Sequence, residues 1–275
     1  MNVLSLRGGT HRQLAWVLLL CGGASVAHFF ALSPEPLQGE RGHHKILAPY
    51  RVPERYLAIP RMRHGDADYS GASDVAGYIE DVEELHATGW ISKVLRHPLL
   101  TYFTAGIFAV TGRQPVLYYL IPFAAYLASL FMLWRIGERL FGAGAGVFAA
   151  LLAGLHPTMM LTSLSFNSHS VAPCLNLAAL LLFLSALKDE RRWVPLMILL
   201  GIGRLLRLEN IALAGVFPVL AWILRWRFPQ RVTSVFGAWF WLVILAWFLV
   251  TLPYHAWQGS AHGNPLYPFE LGALL

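Results

Sequence analysis

Eight apolar runs set the limits on this chain, at residues 13–32, 98–111, 115–134, 143–161, 170–187, 193–206, 208–224 and 232–252. Seven of the eight are separated by short connections rather than by soluble-sized segments. Backbone polar groups in hydrocarbon must be satisfied within the segment that carries them, so runs of this kind fold as helices. The balance of residues agrees: 56% are hydrophobic and 13% charged, against about 25% charged in a soluble domain. The expected fold class is therefore all-α, a polytopic membrane protein forming a single module over residues 1–275.

The short connections set an expected orientation through their lysines and arginines. Arg135 and Arg139 follow one run, Lys188, Arg191 and Arg192 another, and Arg225, Arg227 and Arg231 a third. The alternate connections, 156–169 and 253–270, contain neither Lys nor Arg. Placing the basic connections and the N-terminal tail in the cytoplasm requires an odd number of crossings before Arg135. The run at 98–111 is shorter than the ~20 residues that cross a bilayer, so it reads as a helix in the outer interface. The expectation is about seven spans in a bacterial-type inner or plasma membrane, N-terminus inside. The first run, 13–32, reads as an uncleaved span rather than a signal peptide, although Ser25-Val26-Ala27 resembles a cleavage site.

The sequence pI near 9.5 is no nucleic-acid footprint, because no Lys/Arg run is interleaved with aromatics. Cys21 and Cys174 both fall in apolar runs and imply neither a disulfide framework nor a zinc knuckle. His43-His44 has no partner at zinc-ligand spacing. Gly142-Ala143-Gly144-Ala145-Gly146 lacks the preceding strand of a phosphate loop and reads as a place where helices approach closely.

The acids are concentrated in one region: ten of fifteen lie between Glu35 and Glu84, in the long external loop 33–97. On a helix over 74–88, Val75, Tyr78, Ile79, Val82 and Leu85 form one apolar stripe, and Gly89 is placed to end it. Glu80, Glu83 and Glu84 are expected on the wet face of this surface helix. Asp74 opens it, either as a helix cap, a role Ser73 could share, or as a functional carboxylate, with Asp81 on the same edge as Tyr78.

In order along the chain come Asp74-Val75-Ala76-Gly77-Tyr78, Trp90, His97-Pro98-Leu99, Gly112, Leu140-Phe141-Gly142, Leu155-His156-Pro157, Arg207-Leu208-Glu209-Asn210 and Gly263-Asn264-Pro265-Leu266-Tyr267-Pro268. This ordered set resembles the C-type glycosyltransferases that use polyprenyl-phosphate sugars, among them the protein O-mannosyltransferases and the lipid A aminoarabinose transferases. The resemblance covers roughly residues 10 to 270. It departs where many relatives carry a second acid, here Val75, and a second proline, here Leu99. Relatives also continue with further spans, so the chain reads as lacking the C-terminal part, as a fragment, half of a two-part enzyme or a degenerate member.

What the resemblance implies is an inverting transferase, moving a sugar from a polyprenyl-phosphate donor to a glycan, lipid or protein acceptor at the extracytoplasmic face. Asp74 would be the base. Tyr78, Asp81, His97, Arg204, Arg207 and Glu209 would contact substrate, the arginines holding the leaving phosphate because a buried arginine near a bilayer is costly without a role. The structural alternatives are a His97 that merely precedes a helix start and an Arg207 that snorkels outward to pair with Glu209. Asp66-Ala67-Asp68 reads as a turn, with a divalent-cation site as the alternative; no other cofactor is expected. His156, Asn167 and His169 flank an uncharged loop, either near substrate or marking the polar boundary. The competing functional class is a non-catalytic membrane subunit that binds the same lipid or assists a partner enzyme.

Overall fold

Leu117–Phe141, 25 residues without a break, spans ~37 Å at the rise of an α-helix, more than the ~30 Å hydrocarbon layer. It belongs to a computed structural model that describes residues 8–31, 74–89, 98–207, 210–230 and 232, with isolated positions between 245 and 256. All elements among the described residues are helical. In chain order they are α1 (Gly8–Ala31), α2 (Asp74–Thr88), α3 (Leu99–Thr111), α4 (Leu117–Phe141), α5 (Ala143–Gly154), α6 (Pro157–Thr162), α7 (Ser168–Ala186), a 3-10 turn (Glu190–Arg192), α8 (Trp193–Arg204) and α9 (Asn210–Arg227).

Two of these, α4 and α7, are both long and apolar enough to cross a membrane. Large apolar side chains face outward along the helices, including Leu19, Phe131, Phe148, Val219 and Trp222. A water-soluble protein rarely leaves so many large apolar side chains in water, and lipid is the solvent that suits them.

Two expectations about element boundaries need correction. Arg135 and Arg139 do not lie in a connection; they occupy the last turns of α4, where Arg135 pairs with Glu138 at 3.8 Å. A charged turn ends a hydrophobic run without ending the helix, since the helix can continue past the lipid. The run 143–161 is not one span: α5 has twelve residues and α6 six. Pro157 forces the break, because it disfavours a helical residue before it, and His156 is accordingly extended at ψ 127°. Twelve residues reach ~18 Å, so α5 and likewise α8 fall short of a full crossing. The short helix expected at 98–111 is present as α3.

The described chain divides into two compact units, one comprising residues 1–90 and 100–174, the other 91–99 and 175–275. In the first, Leu14, Val17 and Cys21 of α1 pack with Tyr126, Leu130 and Trp134 of α4 and with Ala150 of α5. The spacing of each set by three or four keeps it on one helix face. Tyr126 donates its hydroxyl to the Gly154 carbonyl at 2.6 Å, which satisfies a polar group that could not otherwise be buried. α4 and α5 touch backbone to backbone: a Cβ on Gly137 would lie 2.7 Å from the Gly146 Cα. In the second unit, Phe183 stacks on Phe217 at 4.6 Å and meets the edge of Trp193. Leu196, Met197 and Leu200 of α8 fill the rest of that core.

Candidate functional site

The acidic helix forms where its pattern places it. α2 runs from Asp74 to Thr88 and ends at Gly89, whose φ of +74° suits a residue without a Cβ. Tyr78, Ile79 and Val82 are buried on its apolar stripe, and Asp81 is half-buried. Asp74 supplies the first residue of this helix, while its side chain, together with His97 and Glu209, lies outside the described residues, as do Asp66 and Asp68.

Glu83 corrects the expectation of a wholly wet glutamate face. Its carboxylate makes two contacts with the single Nε–H of Arg113, at 2.7 and 2.8 Å, one on each oxygen. A third, at 2.6 Å, comes from the hydroxyl of Tyr118. The side chain of Glu83 is 23% exposed. Charge-assisted bonds of this length are the stronger kind. The Glu83 hydrogen bond pushes the Arg113 guanidinium above its ordinary pKa, opposed in part by burial. Tyr118 is fully buried and wedged between Phe108, at 5.7 Å between ring centroids, and Phe166, at 4.9 Å. One turn along α2 from Glu83, His86 packs edge-on against Phe108 at 5.6 Å. Nothing in local sequence pairs Glu83 with Arg113, thirty residues on. The only signal was an arginine in the turn between two apolar runs.

In the second unit, Arg204 closes α8 with 1% exposure and Arg207 follows it, half-buried. The turn between them is held from three sides. The Leu206 and Arg207 amides both donate to the Gly203 carbonyl, at 3.0 and 2.8 Å. Asn210, 2% exposed, donates through Nδ2 to the same carbonyl at 3.1 Å and to the Arg207 carbonyl at 3.4 Å. The Leu99 amide donates to the Leu205 carbonyl at 3.0 Å, which brings the end of the His97-Pro98-Leu99 segment beside the two arginines. These bonds fix the backbone that carries the two arginines, whose guanidinium forks are the side-chain type that matches an oxyanion such as a phosphate.

Gly203 is part of that arrangement, because a Cβ there would sit 2.8 Å from the Asn210 Oδ1. Gly203→Ala is therefore expected to displace Asn210 and lower stability by about 1–3 kcal/mol, readable as an earlier unfolding midpoint in detergent. An unchanged midpoint would show that the turn tolerates the methyl.

Asn167 proves structural. Its Oδ1 accepts from the Ser170 amide at 2.9 Å, the geometry of a cap on α7, and its Nδ2 donates to Ser165 Oγ at 2.8 Å. His156 and His169 are exposed. Among the described residues no group of three or more His, Cys, Asp or Glu gathers as metal ligands would.

Comparison with known proteins gives one match. The sequence profile of a family described as dolichyl-phosphate-mannose-protein mannosyltransferase matches residues 96–257, more than half of the chain. No curated protein and no solved structure matches it.

Proposed function

The chain belongs to the dolichyl-phosphate-mannose-protein mannosyltransferase family, and we propose from that premise an inverting transfer of a sugar from a polyprenyl-phosphate donor at the extracytoplasmic membrane face. The observation that carries this reading is the family match across 96–257, a stretch that contains His97, Arg204, Arg207 and Glu209. It brings with it the C-type glycosyltransferase superfamily and a lipid-linked donor in general; the acceptor is a glycan, a lipid or a protein.

In the proposed step, Asp74 takes the proton from an acceptor hydroxyl as its oxygen attacks the anomeric carbon. The bond from that carbon to the phosphate oxygen breaks with its electron pair moving onto the phosphate. Arg204 and Arg207 receive the charge that develops there, where preorganised donors are worth most. Tyr78, Asp81, His97 and Glu209 are assigned to substrate contact. Attack from the face opposite the leaving phosphate inverts the configuration. A single module over 1–275 remains the proposed arrangement, its seven expected crossings reduced by α5 and α8, which are too short to cross fully.

A second reading, a non-catalytic subunit that binds the same lipid or assists a partner enzyme, is favoured by Val75, which stands where many relatives carry a second acid. One experiment separates the two. The purified chain in liposomes is given polyprenyl-phosphate mannose and a mixture of glycan, lipid and peptide acceptors. The expected result is release of polyprenyl phosphate in step with a mannosyl product whose anomeric configuration, read by NMR, is opposite to the donor's. Retained configuration rejects inversion, and saturable lipid binding without product supports the subunit. Neither binding nor product rejects both.

A further inference from the structure

Glu83 is held more tightly than a surface helix needs. A carboxylate on the wet side of α2 gains about 0–1 kcal/mol from an exposed ion pair. This one receives, besides the partly exposed Nε of Arg113 on both oxygens, the hydroxyl of the buried Tyr118. Tyr118 cannot follow a moving helix, because Phe108 and Phe166 fix its ring in a fully buried position. His86, three residues after Glu83, rests on that same Phe108. Two consecutive contacts on one side of α2, one polar and one aromatic, define both the rotation and the axial position of the helix. Tyr78, Ile79 and Val82 bury its apolar stripe, a contact that resists tilting but tolerates sliding, since apolar packing lacks direction.

Asp74 is the first residue of the same rigid segment, nine positions before Glu83. We propose that Glu83 is a positioning residue for the transfer reaction: through Arg113 and Tyr118 it fixes the register of α2, and so the backbone position that carries Asp74. The proposal rests on the reading of Asp74 as the base. Glu83 itself touches no substrate. Its contribution is to hold a general base within the few tenths of an ångström that proton transfer tolerates, where a displacement of about 1 Å can cost about 100-fold.

The test combines turnover with a measurement on the helix itself, on the full chain in liposomes. Glu83→Gln and Arg113→Ala remove the charged contact, and Tyr118→Phe, which keeps the ring, guards against variants that fail to fold. Glu83→Gln is expected to lower kcat about 10- to 100-fold with the KM for polyprenyl-phosphate mannose within about twofold, because donor affinity does not depend on the acceptor's base. Adding Arg113→Ala should cost little more, since both act through one contact. Tyr118→Phe should give a smaller kcat loss of the same kind. Amide hydrogen exchange over residues 77–85 should quicken about tenfold or more in Glu83→Gln, also in an Asp74→Asn background, where the outcome is independent of catalysis.

Unchanged exchange overturns the role of Glu83 in fixing α2. Quickened exchange with unchanged kcat overturns the link to Asp74 and points at the base assignment instead. A rise in KM with kcat retained, or fully multiplicative losses in the double variant, overturns positioning through a shared contact.

Discussion

Replacing Asp74 with Asn is expected to lower the rate of sugar transfer about 100- to 10,000-fold, the contribution of a positioned general base, while leaving the protein's level and unfolding midpoint unchanged. The choice of Asn is what makes the result interpretable. Asp74 opens α2, and an acid at a helix start can be there only to satisfy the first amides. Asn caps about as well as Asp, so a purely structural Asp74 predicts a silent substitution in both activity and stability. A base predicts loss of activity alone, because the amide has the shape of the carboxyl but no basic oxygen at neutral pH. The rate is measured as mannosyl product formed from polyprenyl-phosphate mannose under saturating donor. The donor KM should stay near the wild-type value, since Arg204 and Arg207 are assigned to the phosphate. Undiminished transfer by the Asn variant would remove Asp74 from the chemistry and leave the lipid-binding subunit as the better reading.

Local patterns were legible where one segment carries its own instruction. The helix 74–88 needed only its stripe of Tyr78, Ile79 and Val82 and the glycine at 89, and the short helix before Gly112 needed only its length. Boundaries set by a conflict between two signals were harder. Apolarity ran through His156-Pro157, and the proline, not the hydropathy, decided the break between α5 and α6. Charge ended the apolar run at Trp134, yet α4 continued through Arg135, Glu138 and Arg139 because helix propensity outlasts the lipid. The site divides in the same way. Asp74, Arg204 and Arg207 stood out through motif order and the cost of an arginine near a bilayer. Glu83 did not, because its meaning lies in Arg113 and Tyr118, and a contact between residues thirty or more apart is a property of the fold. Asn167 shows the converse: a polar residue in an uncharged loop drew attention for chemistry, although its work is to cap α7.

The glycines of 142–146 carry that lesson into the second large effect. Close approach was expected of the whole stretch, but only one position faces the neighbouring helix. A Cβ at Gly146 would overlap the Trp134 carbonyl oxygen and lie 2.8 Å from Glu138 Cγ and 2.9 Å from Trp134 Cδ1, whereas one at Gly144 would meet nothing within 4 Å. The Trp134 oxygen belongs to the backbone of α4, so it cannot swing aside as a side chain would. Gly146→Leu must therefore push α5 away from α4, which also separates Gly137 from Gly146 and loosens the core around the buried Trp134 and Ala150. Small residues at such crossings permit the van der Waals contact that replaces the hydrophobic effect between helices in lipid. Overpacking a tight contact costs about 1–3 kcal/mol and occasionally more, out of a total of about 5–15 kcal/mol. Gly146→Leu is expected to unfold well before wild type in detergent and to accumulate poorly in membranes. Gly144→Ala, two residues away, should be neutral or stabilising by up to about 1 kcal/mol, because alanine favours the helix and nothing opposes its methyl. Equal destabilisation at 144 and 146 would mean that helix formation, not the contact with α4, selects glycine here; a neutral Gly146→Leu would mean that α4 and α5 do not meet at Trp134.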